Sequence, residues 1–428
     1  MAESTPNMTL PPDVFYHIVE ELEDDPSTLR HIALTCRSLL PCARSSLYKS
    51  IALCGVAFRR VELLSRTLQA NPELGALVKS LRISKLMRRA TSRVVVRVDV
   101  ALTPELLPFR LLRNLHTLHL HWLELGRGID ALATIVGCLP RLERLICETL
   151  VQAHQEHGAR LAPLPHNSPA PTSPARFPVL RELVVKHGTW SHSAFAKWLL
   201  LSHRGSIDRL ERITISFGSS VDALMWIPLI RTAAPRLRVA SISITDTTVR
   251  RRDLVHGFSS ATFAALDAYP NDHAYVMDNL SYCRGLQSLQ LRYHPDHCLK
   301  AGTAPSDGPI KALCDALERH SPPWPSLQRL ELWLVDRGGV MVAMSDELCA
   351  RLKNVLADKT RYPRFNTLVL RIESQEWTER FSVWHPWSLS SQLDRAAVVE
   401  RWKLAFGAFE REPSGVTLDA ALLHSPGL

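Results

Sequence analysis

The sequence predicts an α/β protein in which a short N-terminal helical module precedes an irregular solenoid of strand-plus-helix units. Three observations predict it. Apolar residues recur at helical spacing in three short runs before residue 51. From about residue 77, the spacing L-x-x-L-x-L returns nine times. Amphipathic segments fill the intervals between its copies. With 428 residues, 46% apolar and 22% charged, the chain has the composition of a folded globular protein and enough length for several domains or one elongated repeat array.

The first helix is predicted from Leu10-Pro11-Pro12-Asp13. Proline suits a first turn because its missing N–H would be unpaired there, and Asp13 suits the positive helix end. Val14, Ile18 and Leu22, with Phe15 and Val19 alongside, continue the apolar stripe up to Asp24-Asp25. Asp25-Pro26 repeats the cap-then-proline signal, and Leu29, Ile32, Ala33 and Cys36 fall at i, i+3, i+4 and i+7. A third helix from about Ser38 carries Leu40, Ala43, Leu47 and Tyr48. Helices this short bury only a small core, so docking to a partner or a neighbouring domain is expected.

These residues carry a resemblance. Leu10-Pro11-x-Asp13-Val14, Ile18-Val19, Leu22, Asp25-Pro26-x-Thr28-Leu29, Leu34-x-Cys36-Arg37-Ser38 and Leu47-Tyr48-x-Ser50-Ile51 resemble an F-box in order and spacing. Where many F-boxes place a tryptophan after the Cys-Arg pair, this chain has Leu39-Leu40. The resemblance implies binding to a Skp-family adaptor and, through it, to a cullin–RING (SCF) ubiquitin ligase. Leu10, Pro11, Val14, Ile18, Leu29 and Ile32 stand where the family faces its adaptor.

The nine copies of the second pattern are Val78/Leu81/Ile83, Leu115/Leu118/Leu120, Leu142/Leu145/Cys147, Leu180/Leu183/Val185, Leu210/Ile213/Ile215, Leu237/Ala240/Ile242, Leu286/Leu289/Leu291, Leu327/Leu330/Leu332 and Phe365/Leu368/Leu370. The pair at i, i+2 points to one face of a strand. Five copies carry a proline two places before the first apolar residue (Pro140, Pro178, Pro235, Pro325, Pro363), read as a strand entry because proline cannot donate to a ladder. Intervals run from 27 to 49 residues, room for a strand, a turn and a helix. Helices are expected at Ile129 to Val136, Ala194 to Leu201, Val221 to Arg231, Pro309 to Arg319 and Asp346 to Leu356. Asp394 to Phe409 is read as a capping helix.

A unit of this kind cannot bury its apolar face alone, so neighbours stack into a solenoid with the strands on the concave side. The pattern resembles degenerate leucine-rich repeats, and its combination with an F-box-like start is similar to the large group of fungal F-box proteins. The expected layout is a helical module at 1–54, repeats at 55–376 with a Pro-rich insertion at 158–178, and a capping segment and tail at 377–428. Side chains between and just after the buried pair point outward and form the expected target-binding face. They include Arg82, His119, His121, Lys186, Gln290, Arg292, Glu331, Trp333, Arg371 and Glu373. Trp333 and Arg292 stand out, because Trp and Arg are enriched at interface hot spots.

Other features narrow the classes. The first 29 residues hold seven acids and no Lys or Arg, the reverse of a signal peptide, so a cytoplasmic or nuclear location is expected. Nine scattered cysteines without a C-x-x-C pair read as buried thiols in a reducing compartment. No apolar run approaches the roughly 18 residues of a membrane span. Positions 30–428 hold all 51 basic residues against 35 acids, a body of +16. Lys79 to Arg97 has seven basic residues and no acid, but its lack of aromatics disfavours nucleic acid relative to an acidic protein. Ser168-Pro169 and Ser173-Pro174 in the Pro-rich insertion fit proline-directed phosphorylation.

Gly126-x-Gly128-x-x-Ala131 follows its strand too late for a dinucleotide turn, and a repeat turn explains it better. In His116-x-x-His119-x-His121, His119 and His121 would share the outward face of a strand but no third ligand joins them for zinc, and His294 and His297 near Cys298 are weaker still. With no Walker loop, G-x-S-x-G or H-E-x-x-H, the reading is a non-enzymatic protein without cofactor, binding an adaptor and a protein target, with no obligate homo-oligomer. The alternatives are a scaffold joined to no ligase and a nucleic-acid-binding protein using the 79–97 patch.

Overall fold

A computed structural model describes residues 11–22, 24–35, 37–54, 58–84, 101–125, 129–152, 178–188, 195–196, 198–200, 204–217, 220–245, 272–294, 308–319, 321–336, 344–374, 390–406 and 417–424. The protein is α/β, as its patterns require, and its chain divides into two units. One holds Met1–Val179 with Gly188–Trp190; the other holds Leu180–His187 and Ser191–Leu428.

The first unit opens with the three expected helices, α1 (Pro12–Glu21), α2 (Pro26–Thr35) and α3 (Leu40–Lys49). Val19, Leu29 and Cys42 form their core, with Leu22, Leu39 and Leu47 packed against it. Asp25 caps α2: its Oδ1 accepts from Ser27 N at 3.0 Å and Thr28 N at 3.2 Å, and its Oδ2 accepts from the Thr28 hydroxyl at 2.6 Å. These bonds, Thr28 first and Ser27 next, hold its carboxyl well below the ordinary 3.8. A depressed carboxylate contributes stability above its unfolded value and loses it as pH falls through the folded one. Asp25→Asn is therefore expected to weaken amide-exchange protection of α2 at neutral pH, the difference from wild type narrowing once pH drops below 3.8.

Strands β1 (Ser50–Cys54), β2 (Ser80–Ser84), β4 (Thr117–His121) and β6 (Arg144–Gln152) form a parallel sheet in that order. Register aligns the pattern rung by rung: Ile51, Leu81, Leu118 and Leu145, then Leu53, Ile83, Leu120 and Cys147. β1 begins the sheet at Ser50, inside the segment read as all-helical, because Tyr48/Ile51/Leu53 repeats the same apolar spacing. Two short strands, β3 (Ala101–Leu102) and β5 (Glu124–Leu125), make a second ladder with the end of β6. The chain reaches it through Trp122 and Thr149, both at φ 52 and one residue past the paired His121 and Glu148. A β-branched residue there costs about 1–2 kcal/mol.

Helices α4 (Phe58–Ala70), α5 (Pro72–Leu77) and α6 (Ile129–Gly137) complete the described regular structure of this unit, apart from a 3₁₀ turn at Phe109–Leu111. A Cβ on Gly75 would lie 2.6 Å from the Leu111 carbonyl oxygen, so α5 approaches that turn only because residue 75 is glycine. Gly75→Ala should cost about 1–3 kcal/mol. Gly137→Ala, with nothing within 4 Å, should be neutral or stabilising. Thermal melts of the two variants check this.

The second unit is a parallel sheet of β7 (Glu182–Gly188), β8 (Arg212–Phe217), β9 (Val239–Thr245), β10 (Ser288–His294), β11 (Arg329–Asp336), β12 (Thr367–Ser374) and β13 (Thr417–His424). Its main rung runs Leu183, Ile213, Ala240, Leu289, Leu330, Leu368, Leu418. A second bond pattern repeats with it. The carbonyl just after the first apolar residue of one copy accepts two N–H groups of the next: Gln287 O from Gln328 and Arg329, Gln328 O from Asn366 and Thr367. β13 shows that the region read as cap and tail contains a further strand.

Helices α7 (Ser220–Ala233), α8 (Asp272–Leu280), α9 (Gly308–Leu317), α10 (Asp346–Ala357) and α11 (Ser390–Phe406) alternate with these strands. An arginine bridges each consecutive pair: Arg231 to Asn279 at 2.7 Å, Arg319 to Asp278, Arg351 to Asp315 at 2.7 Å and to Glu318 at 2.9 Å, and Arg401 to Asp346 at 2.7 Å. The prolines sit in turns ahead of the strands, not at strand entries. In Leu139-Pro140, Trp324-Pro325 and Tyr362-Pro363, the residue before proline accepts from the N–H three places on, the turn position that suits the fixed φ of proline. Cys42, Cys147, Cys283, Cys314 and Cys349 are buried free thiols; burial pushes Cys283 and Cys314 up to about 12 and Cys349 to about 11.

Candidate functional site

Two surfaces collect the residues singled out by sequence. On the helical module, α1 turns Val19 inward at 2% exposure, while Val14 (37%), Tyr16 (52%) and Ile18 (40%) face outward. Val14 and Ile18 are one helical turn apart and share a face. Pro11 is exposed and Ile32 half-buried; Leu10 lies outside the described residues. Leu29 corrects the sequence reading: at 1% exposure it belongs to the core of the module and offers no surface to an adaptor. A three-helix unit needs an apolar centre of its own, and the first turn of α2 supplies part of it. Leu34, 86% exposed, and Tyr16 are further exposed apolar side chains of the module that sequence reasoning did not place among the adaptor contacts.

The second surface is the face of the strands opposite the buried rungs. In the first unit it carries Arg82, exposed, and His119 and His121, both half-buried and 6.0 Å apart between ring centroids. His119 Nε2 lies 3.0 Å from Glu148 Oε2. Burial holds His121 below the ordinary 6.5, against the opposing pull of the Glu148 charge. Among the described residues, no group of three His, Cys, Asp or Glu side chains could hold a metal ion. Of the basic 79–97 stretch, Lys79 to Ser84 is described; 85–100 is not, nor are Gly126 to Gly128, His297, Cys298 or the Ser-Pro pairs of the insertion.

In the second unit this face brings the predicted residues together. Lys186 is half-buried on β7. Arg292, Trp333 and Arg371 occupy one cross-strand row, and Gln290 and Glu331 are neighbours in the row beside it. Hydrogen bonds run along that row: Ser241 Oγ donates to Gln290 Oε1 at 2.6 Å, and Gln290 Nε2 donates to Glu331 Oε2 at 3.1 Å. Glu331 Oε2 also accepts from Trp333 Nε1 at 3.1 Å, and its Oε1 accepts from Arg329 at 2.5 Å. The Arg292 guanidinium stands 5.7 Å from the Trp333 ring centroid, a cation–π contact. Arg371 pairs with both oxygens of Asp419, at 2.7 Å to Oδ1. Glu373 lies on β12 in register with Leu423. Asp419 was missed because its strand was missed.

No protein-family model matches the chain, and no curated protein matches it. Among the described residues, no helix is long and apolar enough to cross a membrane.

Proposed function

We propose that the chain is the substrate receptor of an SCF-type cullin–RING ubiquitin ligase. The F-box-like helices bind a Skp-family adaptor, and the repeats, as degenerate leucine-rich repeats, bind a protein target on their outer strand face. The carrying observation is the outward row Val14/Ile18 on α1, while Val19, Leu29 and Cys42 already close the core of the module. Clustered exposed apolar side chains mark partner sites. The protein itself catalyses nothing: holding target and adaptor on one chain raises the effective concentration of the target near the ubiquitin-loaded enzyme.

The test is assembly. Beads carrying the tagged full chain should retain cullin and RING subunit only when the adaptor is co-expressed. Retention of neither, with the chain folded, sinks the proposal. A scaffold that joins no ligase is the second reading, favoured by the burial of Leu29, which removes one of the expected adaptor contacts.

A further inference from the structure

We infer that the His119–His121–Glu148 cluster is a proton-operated catch at the junction of the two ladders of the first unit, holding β3, β5 and the end of β6 in place at neutral pH and loosening them on acidification. The inference is independent of the receptor reading. On the outer strand face, register sets His121 between Ser84 of β2 and Glu148 of β6, and His119 between Arg82 and Ile146. The described carboxylate of this group is Glu148, and His119 engages it at 3.0 Å. His121 is left with ring contacts, its centroid 6.0 Å from that of His119 and 6.1 Å, edge-on, from that of Trp122. Half-buried and without a hydrogen bond among the described residues, it is a poor place for a proton.

The position of the cluster gives its protonation a structural consequence. Trp122 and Thr149, each one residue past the paired His121 and Glu148, both stand at φ 52, a backbone conformation that persists in such residues only where the surroundings enforce it. Trp122 is held there by the His121 ring and by its own N–H, which donates to the Glu148 carbonyl at 3.0 Å. The chain then enters β5, which pairs with β3 and with Val151 and Gln152 of β6 through ladders of two residues each. Pairings that short contribute little stability of their own. The described charged and titratable groups facing His121 are Glu148 from β6, His119 from its own strand and Arg82 from β2. Glu124 on β5 lies farther along, in register with Val151, and His116 pairs with Glu143 at 3.8 Å. Burial holds His121 below its ordinary 6.5, with Glu148 opposing and His119 and Arg82 adding to the effect. The opened junction therefore binds a proton more readily than the closed one. Closure is fully favoured above pH 6.5 and loses free energy as pH falls from 6.5 through the lower folded value. Below it, His121 carries a charge beside Arg82 in a site that no longer suits its packing on Trp122.

Hydrogen exchange of the purified full chain, read by mass spectrometry at about pH 7.5 and about pH 5.5 and corrected for the intrinsic rate, follows the junction on peptides from β4–β5 and from the end of β6. Relative to β11, a strand without histidine, protection of the junction should fall at least about threefold on acidification. His121→Gln, which takes up no proton in this range, should abolish that fall, and His121→Asn stands in if the glutamine variant misfolds. His116→Gln, at the exposed pair with Glu143 just ahead of β4, should leave the fall unchanged. Wild-type protection that is the same at both pH values, an equal fall in β11, a fall that survives in the folded His121 variant, or one that His116→Gln abolishes equally would each overturn the inference.

Discussion

Leu330→Ala is expected to lower the unfolding free energy of the second unit by about 3 kcal/mol. Leu330 is fully buried and sits mid-rung, in register with Leu289 on one side and Leu368 on the other. Truncation removes the transfer free energy of its side chain and leaves a cavity that two neighbouring strands, tied by ladder bonds on both sides, cannot close. Ser243→Ala, on the opposite face of the same sheet, should change stability by less than about 0.5 kcal/mol. Urea unfolding followed by tryptophan fluorescence reads the difference selectively, because eight of the ten tryptophans lie in the second unit. A loss below about 1 kcal/mol for Leu330→Ala would contradict the rung as the main packing element.

The Val14→Asp/Ile18→Asp double variant should abolish adaptor binding, weakening it by more than about a hundredfold, because two carboxylates would be forced into an apolar interface without partners. Its folding should be almost unaffected. Both side chains are more than a third exposed, and neither belongs to the core formed by Val19, Leu29 and Cys42. Leu29→Asp gives the contrast: placed in that core, it should unfold the module and lose the adaptor for a different reason. Circular dichroism separates the two, since the double variant keeps its helicity and Leu29→Asp does not.

Much of the fold was legible because one rung of the sheet is one spacing in the sequence. Spacing alone places Leu118, Leu145, Leu289, Leu330 and Leu368 on a buried face, since period-two apolar pairs leave little else to do. The ends were not legible, for local reasons. Tyr48/Ile51/Leu53 has the right spacing, but Tyr48 also completes the stripe of α3. Before β13, Gly415 occupies the first apolar position and Ala420 the third, so the copy reads as a tail. Helix α8 lies within the longest interval between copies, where nothing in the pattern fixes an element boundary.

The candidate surfaces were half-readable. Adjacency of Arg292 and Trp333 follows from aligning the copies, because register places the same pattern position on neighbouring strands. The saturation of Glu331 depends on rotamers of Gln290, Arg329 and Trp333, which no spacing reveals. On α2, Leu29 and Ile32 lie on one apolar stripe, and sequence alone does not say which part of a stripe a small module keeps for itself. Burial assigns Leu29 to the core and leaves Val14 and Ile18 to the surface.

Titration calorimetry of the purified full chain with a purified Skp-family adaptor tests the central claim most directly. The account predicts a one-to-one complex with Kd at or below about 1 μM for wild type, and no measurable heat for the folded Val14→Asp/Ile18→Asp variant. Absence of binding by a folded wild-type chain, or undiminished binding by the double variant, would contradict it.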